Sequence, residues 1–147
     1  MPFLGGGLYE LPSCSPTTTP SPYTLNIKTT PTDRLFSEYI RKKSGGVCSA
    51  CGTYKGWENL QATHFITRKR KHIRWDEDNV SAQCARCHFR FHDNPHDHQK
   101  WKVEQLGEQR YANLIEKSRV LAVGEHKVTK DKLKDLRAEL REKLKKL

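Results

Sequence analysis

Residues 83–92 read Gln83-Cys84-Ala85-Arg86-Cys87-His88-Phe89-Arg90-Phe91-His92. A C-x-x-C turn lets two sulfurs reach one ion, and zinc prefers tetrahedral sets of thiolates. The matching pair, Cys48-Ser49-Ala50-Cys51, lies upstream with 32 residues between the two turns. Cys48, Cys51, Cys84 and Cys87 therefore predict one structural Zn²⁺ site on two knuckles, with the intervening residues as an insertion. A redox role for C-x-x-C needs a thioredoxin-like βαβ pattern, which this sequence lacks. Metal binding is also folding free energy. That suits a chain of 147 residues with 35% hydrophobic and 30% charged residues, which can build only a small core.

Working outward, the insertion reads as a hairpin. Asn59 to Ile66 and Val80 to Gln83 have strand character, and Thr67 to Trp75 joins them as a basic loop. A helix is expected from about Cys84 to Asn94, ending before Pro95. On that helix His88 and His92 lie one turn apart on one face, a spacing at which two imidazoles grip one ion. Upstream, Thr32 is expected to cap a helix bearing Leu35, Phe36, Tyr39 and Ile40 on one face, with Gly45-Gly46 ending it. Downstream the pattern is helical again, broken at Gly107 and Gly124. A last helix from Thr129 carries the stripe Leu133, Leu136, Leu140, Leu144, Leu147. The stripe fits packing on its own domain or on a second copy, so a homodimer is one expectation.

Three regions follow: a disordered tail over 1–31, a zinc-stabilised core with its leading helix over 32–95, and a helical extension over 96–147. The tail is rich in Pro, Gly and Thr and cannot bury enough apolar surface to order itself. Its Cys14 is expected to be an idle thiol, and Leu25 and Ile27 to add at most an extended strand on a partner. The fold class is α+β. No apolar run approaches a membrane span, and residues 1–13 lack the basic and apolar regions of a secretory signal. A membrane protein and a secreted disulfide mini-protein are not expected; a cytoplasmic protein is.

Lys plus Arg number 27 against 17 Asp plus Glu, a formal charge of +10. Such a balance anticipates a polyanion, most commonly nucleic acid. From Asn59 to Trp75 the only charged residues are basic, and Arg68, Lys69, Arg70, Lys71 and Arg74 are the candidate phosphate contacts.

Counting from His64, Asn79 lies 15 residues on, His88 24 and His92 28. These residues at this spacing, set between two zinc knuckles, resemble the HNH, or ββα-metal, nuclease motif. A longer match includes Thr30-Pro31-Thr32-Asp33-Arg34-Leu35-Phe36-Ser37-Glu38-Tyr39-Ile40-Arg41, Leu60-Gln61-Ala62-Thr63-His64-Phe65, Arg74-Trp75-Asp76-Glu77-Asp78-Asn79-Val80 and Gln83-Cys84-Ala85-Arg86-Cys87. It is similar to the NinG (Rap) recombination proteins of lambda-like phages over about residues 30 to 120. The resemblance implies a DNA endonuclease acting on branched or junction DNA in a bacterial host cytoplasm. It also implies that His64 is the general base, that Asn79 positions the loop around it, and that His88 and His92 hold a divalent cation, Mg²⁺ or Mn²⁺. Thr63 stands where many HNH nucleases place a third ligand, leaving Asp93 or Asp78 to supply an oxygen. Two further readings share these residues: a zinc-stabilised DNA-binding module without cleavage, and an HNH endonuclease serving restriction or DNA packaging.

Overall fold

The computed structural model describes residues 28–121 and 123–147; the expectations for Cys14, Leu25, Ile27 and most of the 1–31 tail lie outside the described residues. Among the described residues, five α-helices and one two-stranded sheet make an α+β fold. In chain order they are α1 (Pro31–Lys43), β1 (Leu60–His64), β2 (Val80–Cys84), α2 (Ala85–Asp93), α3 (Pro95–Leu106), α4 (Glu108–Arg119) and α5 (Lys130–Lys145). None of the helices described is long and apolar enough to cross a membrane.

Helix α1 starts two residues earlier than expected, at the other threonine. Thr30 is the N-cap, Pro31 takes the first helical position, and Asp33 closes a capping box. The Thr30 hydroxyl accepts from the Asp33 N–H at 3.2 Å, while the Asp33 carboxylate accepts from the Thr30 N–H at 2.7 Å. Proline lacks the N–H that the first helical position does not use, so Pro31 fixes the start. Gly45 and Gly46 follow the helix as expected. A Cβ on Gly46 would sit 2.9 Å from the Tyr54 ring, and its φ of +80° suits glycine alone.

The strands pair antiparallel, from Leu60 opposite Cys84 to His64 opposite Val80. Side chains alternate across a strand, and the two faces differ. Leu60, Val80, Ala82 and Cys84 join Phe36, Tyr39 and Ile40 of α1 in the buried core, with Leu140 of α5. The other face carries Gln61, Thr63, Ser81 and Gln83. There Lys102 of α3, 1% exposed, donates to the Ser81 hydroxyl and to Gln105 Oε1, each at 3.0 Å.

Leu136 and Leu144 of α5 pack against the same core as Leu140. The middle of the leucine stripe is therefore spent within the chain, and only its end, Leu147, is largely exposed. Arg137 donates to the Thr32 hydroxyl at 2.9 Å, and Lys143 bonds Glu77 at 3.1 Å, tying α5 to the start of α1 and to the hairpin loop.

Candidate functional site

The first knuckle is strapped to β2: the Ser49 N–H and hydroxyl both donate to the Ala82 carbonyl, at 2.9 and 2.7 Å. This brings Cys48 and Cys51 to Cys84 and Cys87, with all four sulfurs within 4.8 Å of one another. Cys51 and Cys84 sulfurs lie 3.9 Å apart. Tetrahedral Zn–S bonds of about 2.3 Å put sulfurs roughly 3.8 Å apart, so the set fits one metal ion such as zinc. The Cys84 N–H donates to the Cys48 sulfur at 3.3 Å. A hydrogen bond from Cys87, with backbone donors, draws the Cys48 thiol down to about 4 and leaves Cys87 pushed up.

His64, at the far end of the hairpin, lines one cleft of about 560 Å³ with His88 and His92 of α2, together with Arg68 and Phe65. His64 Nε2 lies 2.8 Å from the Arg74 carbonyl oxygen. A carbonyl only accepts, so Nε2 carries the proton and Nδ1 of the neutral ring keeps its lone pair. Burial drives the His64 pKa down to about 4; the bond to Arg74 opposes this, and the Arg68 cation reinforces it. The ring is therefore neutral at physiological pH.

Asn79, fully buried, fixes that geometry. Its Oδ1 accepts from the Ile66 N–H at 2.7 Å, and its Nδ2 donates to the carbonyls of Ile66 and Ile73 at 3.1 and 3.2 Å. One side chain thus joins the strand end just past His64 to the turn just before Arg74.

Helix α2 begins where β2 ends and presents His88 and His92 one turn apart. Their Nε2 atoms are 2.9 Å apart. Two nitrogens bound side by side on one ion at about 2.05 Å and right angles would lie about 2.9 Å apart. Gln61 Oε1 accepts from His88 Nδ1 at 2.5 Å, which leaves the His88 Nε2 lone pair facing His92. Burial, and then the neighbouring His92 and His64, lower the His88 pKa to about 4.

Two expectations need correction. Arg74 is not a phosphate contact. It is 7% exposed, and its guanidinium grips Asp33 at 2.8 and 2.5 Å and the Lys28 carbonyl at 3.1 Å. A buried arginine already paired with a carboxylate has no charge to offer DNA. Asp78, offered as an oxygen ligand, is not among the residues lining the cleft, and its carboxylate pairs with Arg110. Of the other loop cations, Lys69, Arg70 and Lys71 are exposed, and Arg68 is half-buried at the cleft.

Three positioning groups were missed by sequence reasoning. Asp33 holds Arg74 and also accepts from the Trp75 indole at 3.0 Å, while its Thr30 bonds cap α1. Burial alone would raise its carboxyl; the bonds from Arg74 and Thr30 hold it below 3.8. The capping-box spacing of Thr30 and Asp33 was readable, but the partner 41 residues away was not. Gln61 and Lys102 carried no local signal.

No curated protein and no solved structure matches the chain. A family profile described as bacteriophage lambda NinG protein matches residues 26–147. The match takes in both cysteine pairs, the histidine cleft, the basic loop and the C-terminal helix, and the chain belongs to the NinG family.

Proposed function

We propose that the histidine cleft is the active site of a metal-dependent DNA endonuclease of the HNH, or ββα-metal, type, acting on branched recombination intermediates. The observation that carries this reading is the fixed tautomer of His64 in the cleft it shares with the His88–His92 pair. A general base needs a neutral ring with an unshared lone pair, held still.

In this reading a water gives its proton to His64 Nδ1 as its oxygen attacks the phosphorus. The phosphorus–oxygen bond to the leaving group breaks, and the departing oxygen takes a proton from solvent. Arg74 fixes the base through its carbonyl, and Asn79 fixes Arg74's turn. His88 and His92 would hold a divalent cation that polarises the phosphate and steadies the leaving oxygen. Two imidazoles without a neighbouring carboxylate suit Mn²⁺ better than Mg²⁺. Arg68, Lys69, Arg70 and Lys71 contact phosphates, giving affinity without a base code. The cysteine cluster holds Zn²⁺ as a structural ion.

Thr63 favours a second reading, a DNA-binding module without cleavage. In place of a metal ligand it offers a buried hydroxyl with no partner. One experiment separates the two. The full chain is incubated with a labelled four-way junction and with linear duplex, with Mn²⁺ or Mg²⁺ and then with chelator. Junction cutting that requires added metal is expected; binding without cutting under every metal tried overturns the enzyme reading.

A further inference from the structure

The basic loop faces two clefts. Arg68 lines the histidine cleft, whereas Lys71 and Trp75 line a second one of about 470 Å³, closed on its far side by the 124–128 segment and the start of α5. Its floor is apolar, built on Ile73, Trp75 and Leu136, and its rim is cationic. Of the two carboxylates at the rim, Asp76 pairs with Lys117 at 3.1 Å and Glu125 lies 3.4 Å from His126, against the four lysines Lys71, Lys117, Lys127 and Lys132. Lys71 and Lys127 have no carboxylate partner among the described residues. Lys132 donates its ammonium to the Glu125 and Lys127 carbonyls, which hold it in place without cancelling its charge.

We propose that this second cleft holds an unpaired stretch of the same DNA whose duplex lies in the histidine cleft. The base sits on the apolar floor beside Trp75, and Lys71, Lys127 and Lys132 take the phosphates. The inference deepens the endonuclease reading and rests on it. The volume is that of a small-molecule site, enough for a nucleotide. Cations flanking an aromatic side chain are the usual means of holding single strands without sequence preference. The run Arg68, Lys69, Arg70, Lys71 leads from one cleft to the other, so one strand can follow it across. A branch point supplies the required partner, a duplex that opens into unpaired nucleotides.

The test is fluorescence anisotropy at one fixed salt concentration, using the full zinc-loaded chain without further divalent metal. The probes are a blunt duplex and the same duplex with a single-stranded tail. The native chain is expected to bind the tailed probe more tightly. Lys127→Glu is expected to weaken the tailed probe about tenfold and the blunt probe less than about twofold. Lys134→Glu, an equal charge change on an exposed residue outside the cleft, is expected to change both by less than about twofold. Equal losses on both probes from Lys127→Glu, no loss on the tailed probe, or a matching effect from Lys134→Glu overturns the second site. A native chain that binds blunt duplex and gains nothing from the tail also overturns it, leaving the endonuclease reading intact. Binding neither probe overturns the second site, while the endonuclease reading still stands or falls on the four-way junction assay.

Discussion

The two ends of one short hairpin carry opposite kinds of site. At the Leu60–Cys84 end, four sulfurs converge inside the core, three of them on buried cysteines, and every ligand position of a tetrahedral ion is supplied. At the His64–Val80 end, His64 shares an open cleft with His88 and His92 of α2, and in the proposed reading the paired nitrogens would leave most of an ion's coordination shell to others. A closed ligand set serves stability, and an incomplete one serves chemistry. His64 lies a strand's length from the sulfurs, whereas Cys87 and His88 are neighbours on α2, so the closed set also fixes where the paired imidazoles stand.

The largest effect should come from the closed end. Cys84→Ser, or stripping the metal with a strong chelator, is expected to abolish cooperative thermal unfolding, since structural zinc contributes on the order of 10 kcal/mol to folding. A normal melting curve in either case would end the structural role. At the open end, His64→Ala is expected to lower the cutting rate by about 10²- to 10⁴-fold while shifting the melting temperature little. A large melting shift with unchanged cutting would reverse the assigned roles.

Between the two lies Asp33. Asp33→Ala leaves Arg74 buried without its carboxylate, an expected loss of about 3–5 kcal/mol in urea unfolding. Because its folded pKa lies below 3.8, Asp33 adds stability above that pH, and the contribution fades as pH falls through the folded value. Asp33→Asn should therefore flatten the acid limb of the stability curve, and an unchanged limb would show that the ion pair contributes nothing. The smallest effect is expected from Gln61→Ala. It frees the His88 ring and should weaken cutting at limiting Mn²⁺ about 10- to 100-fold, with rescue at high Mn²⁺. Equal loss at all Mn²⁺ concentrations would mean that Gln61 does not act through the metal.

The parts of this fold that local sequence governs were legible. Strands, the helix break at Gly107 and the final helix capped by Thr129 lie where alternation, breakers and caps put them, whereas α4 ends at Arg119, short of the expected break at Gly124, which opens a 3-10 turn. The cysteine quartet was legible because C-x-x-C spacing fixes geometry before any fold is known. The start of α1 was misplaced although Pro31 marked it, since two threonines competed for one cap. Arg74 was misread for a deeper reason. In sequence it belongs to a run of cations, and only the packing of α1 against the loop turns its side chain inward toward Asp33. A charge pattern cannot distinguish a guanidinium that faces solvent from one that closes a core. The polar face beneath the hairpin was hidden likewise, because Lys102 is buried by α3, a helix whose pattern looks solvated.

The Asn79 side chain has one more consequence. By tying Ile66 to Ile73, it fixes the backbone at both ends of the cationic stretch, from which the exposed side chains of Lys69, Arg70 and Lys71 project. In the proposed reading a polyanion settling there would order side chains but little backbone, the cheaper part of the conformational cost of binding.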